Sequence, residues 1–293
     1  MINSGWLLIN KPKNLTSHDV IKVLRKIFPK QKMGHTGTLD PMATGVLVVA
    51  IGVTTRLIDF LKKEKTYIAK ITLGIKTDTL DSTGKIIEQR SVENISKNQI
   101  FKVLNQFIGK ITQIPPMVSA IKHKGKHLYE FARKGIEVER KRREVEIYNI
   151  NLLEIIIPDF TIEVRCSSGT YIRTLADDIG RVLGCGAHLS DLVRTNSNGV
   201  LLEDCVNIEK IIQDNKPESF IKPVDYLLQH LPFFVIPYKK EIKIKNGNYI
   251  MISQELQENI PLKLYDSEDN IIGIGVYDGK FLKPKVILNY CLI

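Results

Sequence analysis

The sequence has few cysteines and no long apolar run. Its four cysteines form no Cys-X-X-Cys pair and have no histidine-rich surroundings, so neither a zinc site nor a disulfide framework is predicted. The cysteines are Cys166, Cys185, Cys205 and Cys291. No segment approaches the run of about 18 apolar residues that a membrane span needs, and the amino terminus has no basic segment leading an apolar one. These absences favour a cytoplasmic protein with reduced thiols.

Acidic residues are fewer than basic ones. There are 32 Asp and Glu against 42 Lys and Arg, which gives a net charge of +10. Such a surplus favours a polyanionic partner, although a basic protein with a solvated surface has the same composition. The hydrophobic share of 43% and the charged share of 25% are typical of a soluble globular protein. The whole chain is expected to fold.

Apolar periodicity predicts alternating strands and helices in the first part of the chain. Two runs of consecutive apolar residues, at 6–10 and 45–52, predict buried strands. Helical spacing predicts one helix capped by Ser17 and another, with a threonine cap, over residues 54–63. The glycine-rich residues 31–45 predict a loop.

Strict alternation of apolar and polar residues predicts two half-buried strands farther along, over residues 67–75 and 160–166. Helical spacing predicts a helix capped by Ser96 and a later one that Gly184 closes.

A basic insertion spans residues 115–143. Between residues 122 and 143 it holds nine Lys or Arg but only three Glu. Four prolines between residues 215 and 240 precede a change to short strand-like runs with turn signals. We therefore predict a large domain over 1–231 and a small all-β domain over 232–293.

Asp40 stands in the glycine-rich loop Gly34–Pro41, which has the sequence GHTGTLDP. Loops held by a rigid scaffold are where catalytic groups concentrate. An aspartate before proline in such a loop is more often a turn former. The residues alone leave both interpretations open.

Arg173 stands in the first turn of the helix predicted after the SSGT turn, off the apolar stripe of Ile172 and Leu175. The helix dipole disfavours a cation at this end. We therefore expect a carboxylate or phosphate to face Arg173. The alternative is a solvated surface arginine.

Six ordered motifs resemble the TruB family of tRNA pseudouridine synthases from about residue 5 to residue 200. They are LLINKP, GHTGTLDPMATGVL, KTYIAKITLG with TDTLDSTG, PPMVSAIKHKGKHLYEFARKGIEVER, CSSGTYIRTLADDIG and GCGAHLSDLVRT. The resemblance implies an isomerase that converts uridine 55 in the T-loop of tRNA to pseudouridine, without metal or organic cofactor. It also implies a mixed α/β (α+β) fold, with a catalytic domain on a largely antiparallel sheet and a small β-rich PUA-like domain.

The resemblance implies catalytic roles for three residues. Asp40 matches the family's catalytic aspartate, Tyr67 the tyrosine of the KTYIAKITLG motif, and Arg173 the arginine of GTYIRT. An ionised aspartate can act at the ribose as the base departs, and an arginine supplies its counter-charge. The tyrosine offers a stacking face for the base and a phenol for proton transfer at carbon 5. Whether the aspartate attacks carbon 1′ or removes a proton from carbon 2′ stays open.

Five further residues are implied at the substrate site. Leu192 resembles a residue that lines the uracil pocket, and His35 resembles a histidine that helps hold the extruded nucleotide. Lys11 and Pro12 match a motif that shapes the cleft wall, and Tyr171 either touches the substrate or packs under the neighbouring turn. For His35, a structural role with a hydrogen bond inside its own loop is nearly as well supported as substrate binding. For Pro12, a structural role in a turn is better supported than substrate binding.

The insertion at 115–143 resembles the family's thumb loop, whose charge suits an arm that closes on the phosphates of the tRNA T-arm. A solvated insertion is the alternative. The family usually has an aromatic residue where Val118 stands. A uridine in a folded loop is inaccessible, so the enzyme is expected to flip it out at a cost of about a few kcal/mol. We expect a monomer.

Two other functions remain compatible with the sequence. A tRNA chaperone would keep a basic cleft, but it would not need Asp40 and Arg173 together. A related synthase could modify ribosomal or other RNA within an accessory protein complex. The short tails without lysine-rich extensions favour the stand-alone bacterial form.

Overall fold

The structure is a computed structural model that describes residues 4–119, 121–123, 125–132 and 134–288. Within these ranges a ten-stranded sheet and a five-stranded sheet dominate, and six α-helices accompany them. The mixed α+β fold predicted from the resemblance is confirmed. No helix in the described ranges is long and apolar enough to cross a membrane. Cys291 and the last residues of the predicted small domain lie outside the described residues.

The strands and helices are numbered in chain order. The strands up to residue 207 are β1 (Gly5–Lys11), β2 (Met33–His35), β3 (Thr44–Ile51), β4 (Glu64–Leu73), β5 (Ile75–Thr77), β6 (Ile86–Gln89), β7 (Gly109–Gln113), β8 (Lys122–His123), β9 (Lys126–His127), β10 (Arg143–Ile156), β11 (Asp159–Ser167), β12 (Ala187–Ser197), β13 (Val200–Leu201) and β14 (Val206–Asn207). The helices are α1 (Ser17–Ile27), α2 (Lys97–Asn105), α3 (Leu128–Ala132), α4 (Ile172–Leu183), α5 (Ile208–Gln213) and α6 (Tyr238–Lys245). The remaining strands are β15 (Phe233–Val235), β16 (Ile250–Met251), β17 (Pro261–Tyr265), β18 (Ile271–Tyr277) and β19 (Phe281–Ile287).

The ten-stranded sheet runs in the order β14-β1-β3-β12-β4-β11-β10-β7, with β2 on β3 and β13 on β12. Its pairs are antiparallel except for β1 with β14 and β3 with β12. The sheet is therefore largely antiparallel, as predicted. Strands β3, β12 and β4 are neighbours at its centre, which places three motifs that are distant in sequence side by side.

The two faces of this sheet bury different residues, because successive side chains of a strand point to opposite faces. In β3, Val46, Val48 and Ala50 pack in one apolar cluster, whereas Leu47 and Val49 pack in another against α1. Both faces of this strand are therefore covered, as its continuous apolar run predicts.

A third cluster fills the space between β4, β11 and the helices α2 and α4. Tyr67, Ala69 and Ile71 of β4 alternate into it, and α4 contributes Ile172 and Leu175. The amphipathic stripe predicted for α4 is thus its buried face, and Gly184 ends the helix with left-handed φ.

The C-terminal sheet, in the order β15-β17-β18-β19-β16, packs against the large sheet. Ile271 and Ile274 of β18 belong to the same apolar cluster as Trp6 of β1. The Tyr265 hydroxyl donates a 2.6 Å hydrogen bond to the carboxylate of Asp225. The boundary at 231/232 stays a prediction.

The expectation of an all-β segment over 232–293 is wrong, because α6 lies inside it. Its IKIK ending alternates like a strand, yet Pro237 at the N-cap favours a helix start. The helix also buries Glu241, whose carboxylate accepts hydrogen bonds of 2.8 and 2.7 Å from the backbone and hydroxyl of Ser267. Tertiary contacts therefore override the local pattern.

Two other local predictions need correction. Residues 54–63 form short 3-10 turns, at Gly52–Arg56 and Ile58–Phe60, instead of an α-helix. The β-branched run at 53–55 disfavours an α-helix there. The N-cap of α1 is Thr16, which accepts a hydrogen bond from the Asp19 amide and completes a capping box with it.

Candidate active site

A cleft of about 1520 Å³ lies along the large sheet, and it is lined by five segments. These are the Asp40 loop, the start of α1, the Lys76–Leu80 segment, the basic insertion and the outer face of α4. The residues proposed from the sequence divide into two groups. Asp40 and His35 line the cleft, whereas the side chains of Tyr67, Leu192 and Arg173 are nearly inaccessible to solvent.

Asp40 and Arg173 form a two-point ion pair. The Arg173 Nε donates to one carboxylate oxygen at 2.9 Å, and its Nη2 donates to the other at 2.8 Å. The arginine side chain is 2% exposed and the aspartate side chain 30%. The carboxylate therefore faces the cleft, and the guanidinium that holds it lies behind it. Arg173 thus has the carboxylate partner that was predicted from its position in the first turn of α4.

The remaining donors of Arg173 are also occupied. Its Nη1 donates to the Thr79 carbonyl at 3.2 Å and lies 3.6 Å from the buried carboxylate of Asp81, and its Nη2 donates to the Val118 carbonyl at 2.8 Å. A guanidinium held from several directions has a fixed plane. Val118 contributes a backbone oxygen here, so this contact does not depend on an aromatic side chain at that position.

The loop that carries Asp40 is fastened at its sides. The Leu39 amide donates to the Ser17 hydroxyl at 2.8 Å, and the Asn14 amide donates to the Pro41 carbonyl at 2.7 Å. Ser17, expected as the cap of α1, is thus buried and serves the loop instead. A fixed loop backbone keeps the carboxylate in one geometry.

Arg194 holds the same loop from the sheet, although sequence reasoning missed it. Its side chain is fully buried and donates to the carbonyls of Val46 at 2.7 Å, Gly37 at 3.0 Å and Thr38 at 3.3 Å. Its membership in the motif GAHLSDLVR was the only signal, because its burial depends on the pairing of β12 with β3 and β4.

Lys11 and Pro12 form a turn beside the loop. The Lys11 side chain is fully buried, and its ammonium donates to the carbonyls of Pro12 at 2.8 Å and Leu15 at 2.7 Å. Burial, opposed by the nearby Asp40 charge, lowers the pKa of Lys11 to about 8. The ammonium therefore points into the protein and holds the turn between Pro12 and Leu15. Asn14 of this turn contacts Pro41 of the Asp40 loop.

Tyr67 and Leu192 lie side by side in the core near Asp40. They are 6% and 4% exposed, and both belong to the apolar cluster that contains Leu39. In the register of β4 and β12, Leu192 pairs with Ala69 and Tyr67 with Arg194. Burial raises the pKa of Tyr67, so its phenol keeps its proton at neutral pH.

His35 lines the cleft, and its Nδ1 atom is buried without a hydrogen-bond partner among the described residues. Burial and the positive charges of Arg194 and Lys65 lower its pKa to about 4. The imidazole is therefore neutral at pH 7. Its Nδ1 atom does not form the hydrogen bond within the loop that was the alternative explanation for His35.

Tyr171 is the N-cap of α4 and connects three parts of the site. The Tyr171 backbone N–H donates to the side-chain oxygen of Gln113 at 3.0 Å. The side-chain nitrogen of Gln113 donates back to the Tyr171 carbonyl at 3.2 Å. The guanidinium of Arg143 lies 5.9 Å from its ring centre. Tyr171 thus joins α4 to β7 and to the end of the basic insertion.

Among the described residues, no group of three or more His, Cys, Asp or Glu side chains is arranged to hold a metal ion. What the cleft offers is one carboxylate held by a buried arginine, with a neutral tyrosine and an apolar cluster beneath the loop. Such a site can act on a substrate through a fixed carboxylate and exclude water around it. The fold and the cleft indicate an enzyme, with the Asp40–Arg173 pair as its candidate active site.

Comparison with known proteins identifies the family. The model of the TruB family pseudouridylate synthase N-terminal domain matches residues 25–172, and that of the tRNA pseudouridylate synthase B C-terminal domain matches residues 173–229. The chain belongs to the TruB family of pseudouridylate synthases and is an isomerase.

Curated relatives and a solved structure are similar over nearly the whole chain. The tRNA pseudouridine synthase B of Alkaliphilus oremlandii is 47% identical over 292 residues, which cover 97% of this chain and 96% of that protein. The tRNA pseudouridine synthase B of Clostridium tetani is 42% identical over 279 residues, covering 93% and 95%. A chain in the crystal structure of a Cbf5-Nop10-Gar1 complex is similar with a TM-score of 0.74 at 25% identity, covering 98% of this chain and 85% of that one.

Proposed function

We propose that the protein converts uridine 55 in the T-loop of tRNA to pseudouridine, with Asp40 as the catalytic residue. The observation that carries the proposal is the Asp40–Arg173 pair, which presents a fixed carboxylate to the cleft. The names of the curated relatives, tRNA pseudouridine synthase B, support tRNA as the substrate.

Substrate binding begins with extrusion of the target base. A uridine in a folded T-loop is stacked and paired, so it reaches Asp40 only after it is flipped into the cleft, at a cost of about a few kcal/mol. The basic insertion contributes Arg140 and Arg142 to the cleft, where they contact RNA phosphates. His35 lines the cleft, where its ring can contact the flipped nucleotide or the RNA around it.

Isomerisation then proceeds at the ribose and at the base. The Asp40 carboxylate acts at the ribose as the bond between carbon 1′ and the uracil nitrogen breaks, either by attack at carbon 1′ or by removal of a proton from carbon 2′. Arg173 holds the carboxylate in one orientation and supplies its counter-charge. The detached uracil turns and bonds to carbon 1′ through carbon 5; the bond from Asp40 to carbon 1′ breaks in the first path, and the proton returns to carbon 2′ in the second. The proton on carbon 5 then leaves, and the freed uracil nitrogen takes up a proton.

Tyr67 and Leu192 are proposed to form the floor on which the uracil turns. Both are buried beneath the Asp40 loop and do not line the open cleft, so the base would reach this apolar surface and its phenol oxygen only after the loop shifts. The neutral phenol can relay the carbon 5 proton, because its oxygen can take that proton up while its own proton passes on to another acceptor. Lys11, Pro12 and Tyr171 are proposed to hold the walls of the cleft in place, since their contacts fasten neighbouring loops.

Replacement of Asp40 by Asn tests the proposal. The neutral amide keeps the shape of the side chain but removes the charge, so we expect product formation to fall by on the order of a thousandfold or more. Purified protein is incubated with unmodified tRNA transcript, and pseudouridine is mapped by chemical labelling. Asp59→Asn, at an exposed carboxylate, is the matched control and should keep full activity.

The same assay separates the alternatives. Full activity of the Asp40→Asn protein would contradict the proposed mechanism, and tight tRNA binding without product in the wild type would favour a chaperone. The likeness to a chain solved in a Cbf5-Nop10-Gar1 complex raises the possibility of an enzyme that needs partner proteins and another RNA. Product at another position, or only with added partners, would favour that interpretation. A cytoplasmic monomer stays a prediction.

A further inference from the structure

We propose that Arg194 is a positioning residue for catalysis, which sets the place of the Asp40 carboxylate and of the Tyr67 phenol from inside the sheet. The inference rests on the proposed roles of Asp40 and Tyr67. It concerns a residue that does not reach the cleft surface: its side chain is fully buried.

The side chain of Arg194 connects the two ends of the catalytic loop. Its Nη atoms donate to the carbonyls of Gly37 and Thr38, just before Asp40, and its Nε donates to the carbonyl of Val46, after the loop. A planar guanidinium can make these bonds in a fixed geometry at once. Movement of either end of the loop would leave a buried donor or carbonyl unpaired, which is costly.

The backbone of Arg194 restrains the same segment. Strand β12 pairs in parallel with β3 through Arg194 and Gly45, and a Cβ atom at Gly45 would lie 2.3 Å from the Arg194 carbonyl oxygen. Gly45 has a φ of +105°, which other residues rarely adopt. The close approach therefore ties the exit of the catalytic loop to the strand that carries Arg194.

Tyr67 is the third group that Arg194 controls. The two residues are directly opposite in the antiparallel pairing of β4 and β12, so their side chains leave the sheet on the same face. Burial raises the pKa of the Tyr67 phenol, and the nearby charge of Arg194 opposes that rise. One buried cation thus lies opposite Tyr67 and holds the backbone just before Asp40, so it is linked to both groups that are proposed to handle the ribose and the base.

Replacement of Arg194 by Lys keeps the charge but removes the planar set of guanidinium donors. One ammonium cannot reach the carbonyls on both sides of the loop. We expect kcat to fall at least about tenfold. The KM for tRNA is expected to change less than about twofold, because Arg194 is buried away from the RNA and only the reacting groups are displaced. Steady-state kinetics on tRNA transcript, scored as total pseudouridine, give both constants.

Val200→Ala is the control for a loss of stability alone. Val200 is 2% exposed and lies in the apolar cluster around Trp6, apart from the cluster that contains Leu39 and Tyr67. We expect this variant to lower the melting temperature while kcat per folded molecule stays at the wild-type value. A purely structural role for Arg194 predicts the same behaviour for Arg194→Lys.

Gly37→Ala keeps the test available if Arg194→Lys does not fold. The added Cβ would lie 2.3 Å from the Lys65 ammonium, whose flexible end can shift, and 3.7 Å from the Arg194 Nη1. The clash is with Lys65 and not with Arg194, so the backbone at residue 37 should shift away from Lys65 and carry with it the carbonyl that Arg194 holds. We expect this variant again to lower kcat more than it raises KM. A wild-type kcat, or a raised KM at unchanged kcat, in the folded variants overturns the proposal, whereas an active Asp40→Asn protein overturns the proposed function instead.

Discussion

Lys65 is a buried cation beside the loop that carries Asp40. Its side chain is 7% exposed, and its ammonium lies next to the backbone of Gly37. Burial and the neighbouring Arg194 charge lower the pKa of Lys65 to about 7, from 10.5. At neutral pH the folded protein therefore holds this lysine only partly protonated, whereas the unfolded chain binds the proton fully.

This difference in proton binding predicts that folding becomes more favourable as pH rises from about 7 towards 10.5. The penalty is fully present below pH 7 and declines above it, and Lys65→Met should remove it. Between pH 7 and 9 the free energy of unfolding should rise by about 2 kcal/mol more in the wild type than in the variant. Urea denaturation at the two pH values measures this, with the exposed Lys26→Met as the control. An equal pH dependence in all three proteins would contradict the assignment.

Local sequence predicted the Asp40–Arg173 pair better than it predicted Lys65 or Arg194. Arg173 stands where the helix dipole disfavours a cation, so its position favoured an anionic partner over a solvated surface arginine. Lys65 and Arg194 look like ordinary polar positions of strands. Their burial follows from the register between β4 and β12, which joins residues more than a hundred positions apart.

At the scale of elements, the basic insertion acts as a charged wall of the cleft. Arg140 donates to the Pro115 carbonyl at 3.2 Å, which fastens the end of the insertion to its start, and it pairs with Glu137 at 2.8 Å. Arg142 lines the same cleft and is exposed. The base of the insertion is therefore held by Arg140, and the charge of Arg142 faces solvent. An RNA phosphate can replace the water around that charge.

Arg142→Gln tests this role. Loss of one phosphate contact should raise the KM for tRNA severalfold and reduce the slope of log KM against log salt concentration by about 1. The chemical step does not involve Arg142, so the change is expected in kcat/KM. Kinetics between 50 and 200 mM salt give the slope, and Arg25→Gln, at an exposed position of α1, is the control. An unchanged slope would mean that the insertion does not contact phosphates.

Strands were predicted more reliably than the segments that join them. The runs at 45–52 and 160–166 became β3 and β11 because both patterns follow burial on the sheet. Residues 54–63 and α6 were assigned to the wrong element type. The β-branched residues at 53–55 and the IKIK alternation of α6 are weak local signals, and tertiary contacts determine which structure forms there. The Thr16 cap differs from the predicted Ser17 by one position, because both side chains can cap.

At the scale of the whole molecule, the two sheets share an apolar core. Trp6 and Val48 of the large sheet and Ile274 of the small one lie in one cluster, and the Trp6 indole donates to the Val224 carbonyl at 2.8 Å. A shared core couples the unfolding of both parts, because neither can open without exposing apolar surface of the other.

Ile274→Ala measures this coupling. The side chain is fully buried, so its truncation should destabilise the protein by about 3 kcal/mol. The fluorescence of Trp6, the only tryptophan, and far-ultraviolet circular dichroism should report one urea transition that shifts to lower concentration in both signals. Ile242→Ala, at a side chain 75% exposed, is the control. A Trp6 transition that stays at the wild-type midpoint would show that the two sheets unfold independently.

The pair of Asp40 and Arg173 also has a consequence for the newly made chain. The two residues are 133 positions apart, so at a synthesis rate of about 5–20 residues per second the aspartate leaves the ribosome roughly 7 to 27 seconds before its arginine. During that interval the sheet centre is also incomplete, since β12 is made later still. A nascent chain that ends before β12 therefore cannot modify RNA, and activity begins only when nearly the entire catalytic sheet has been translated.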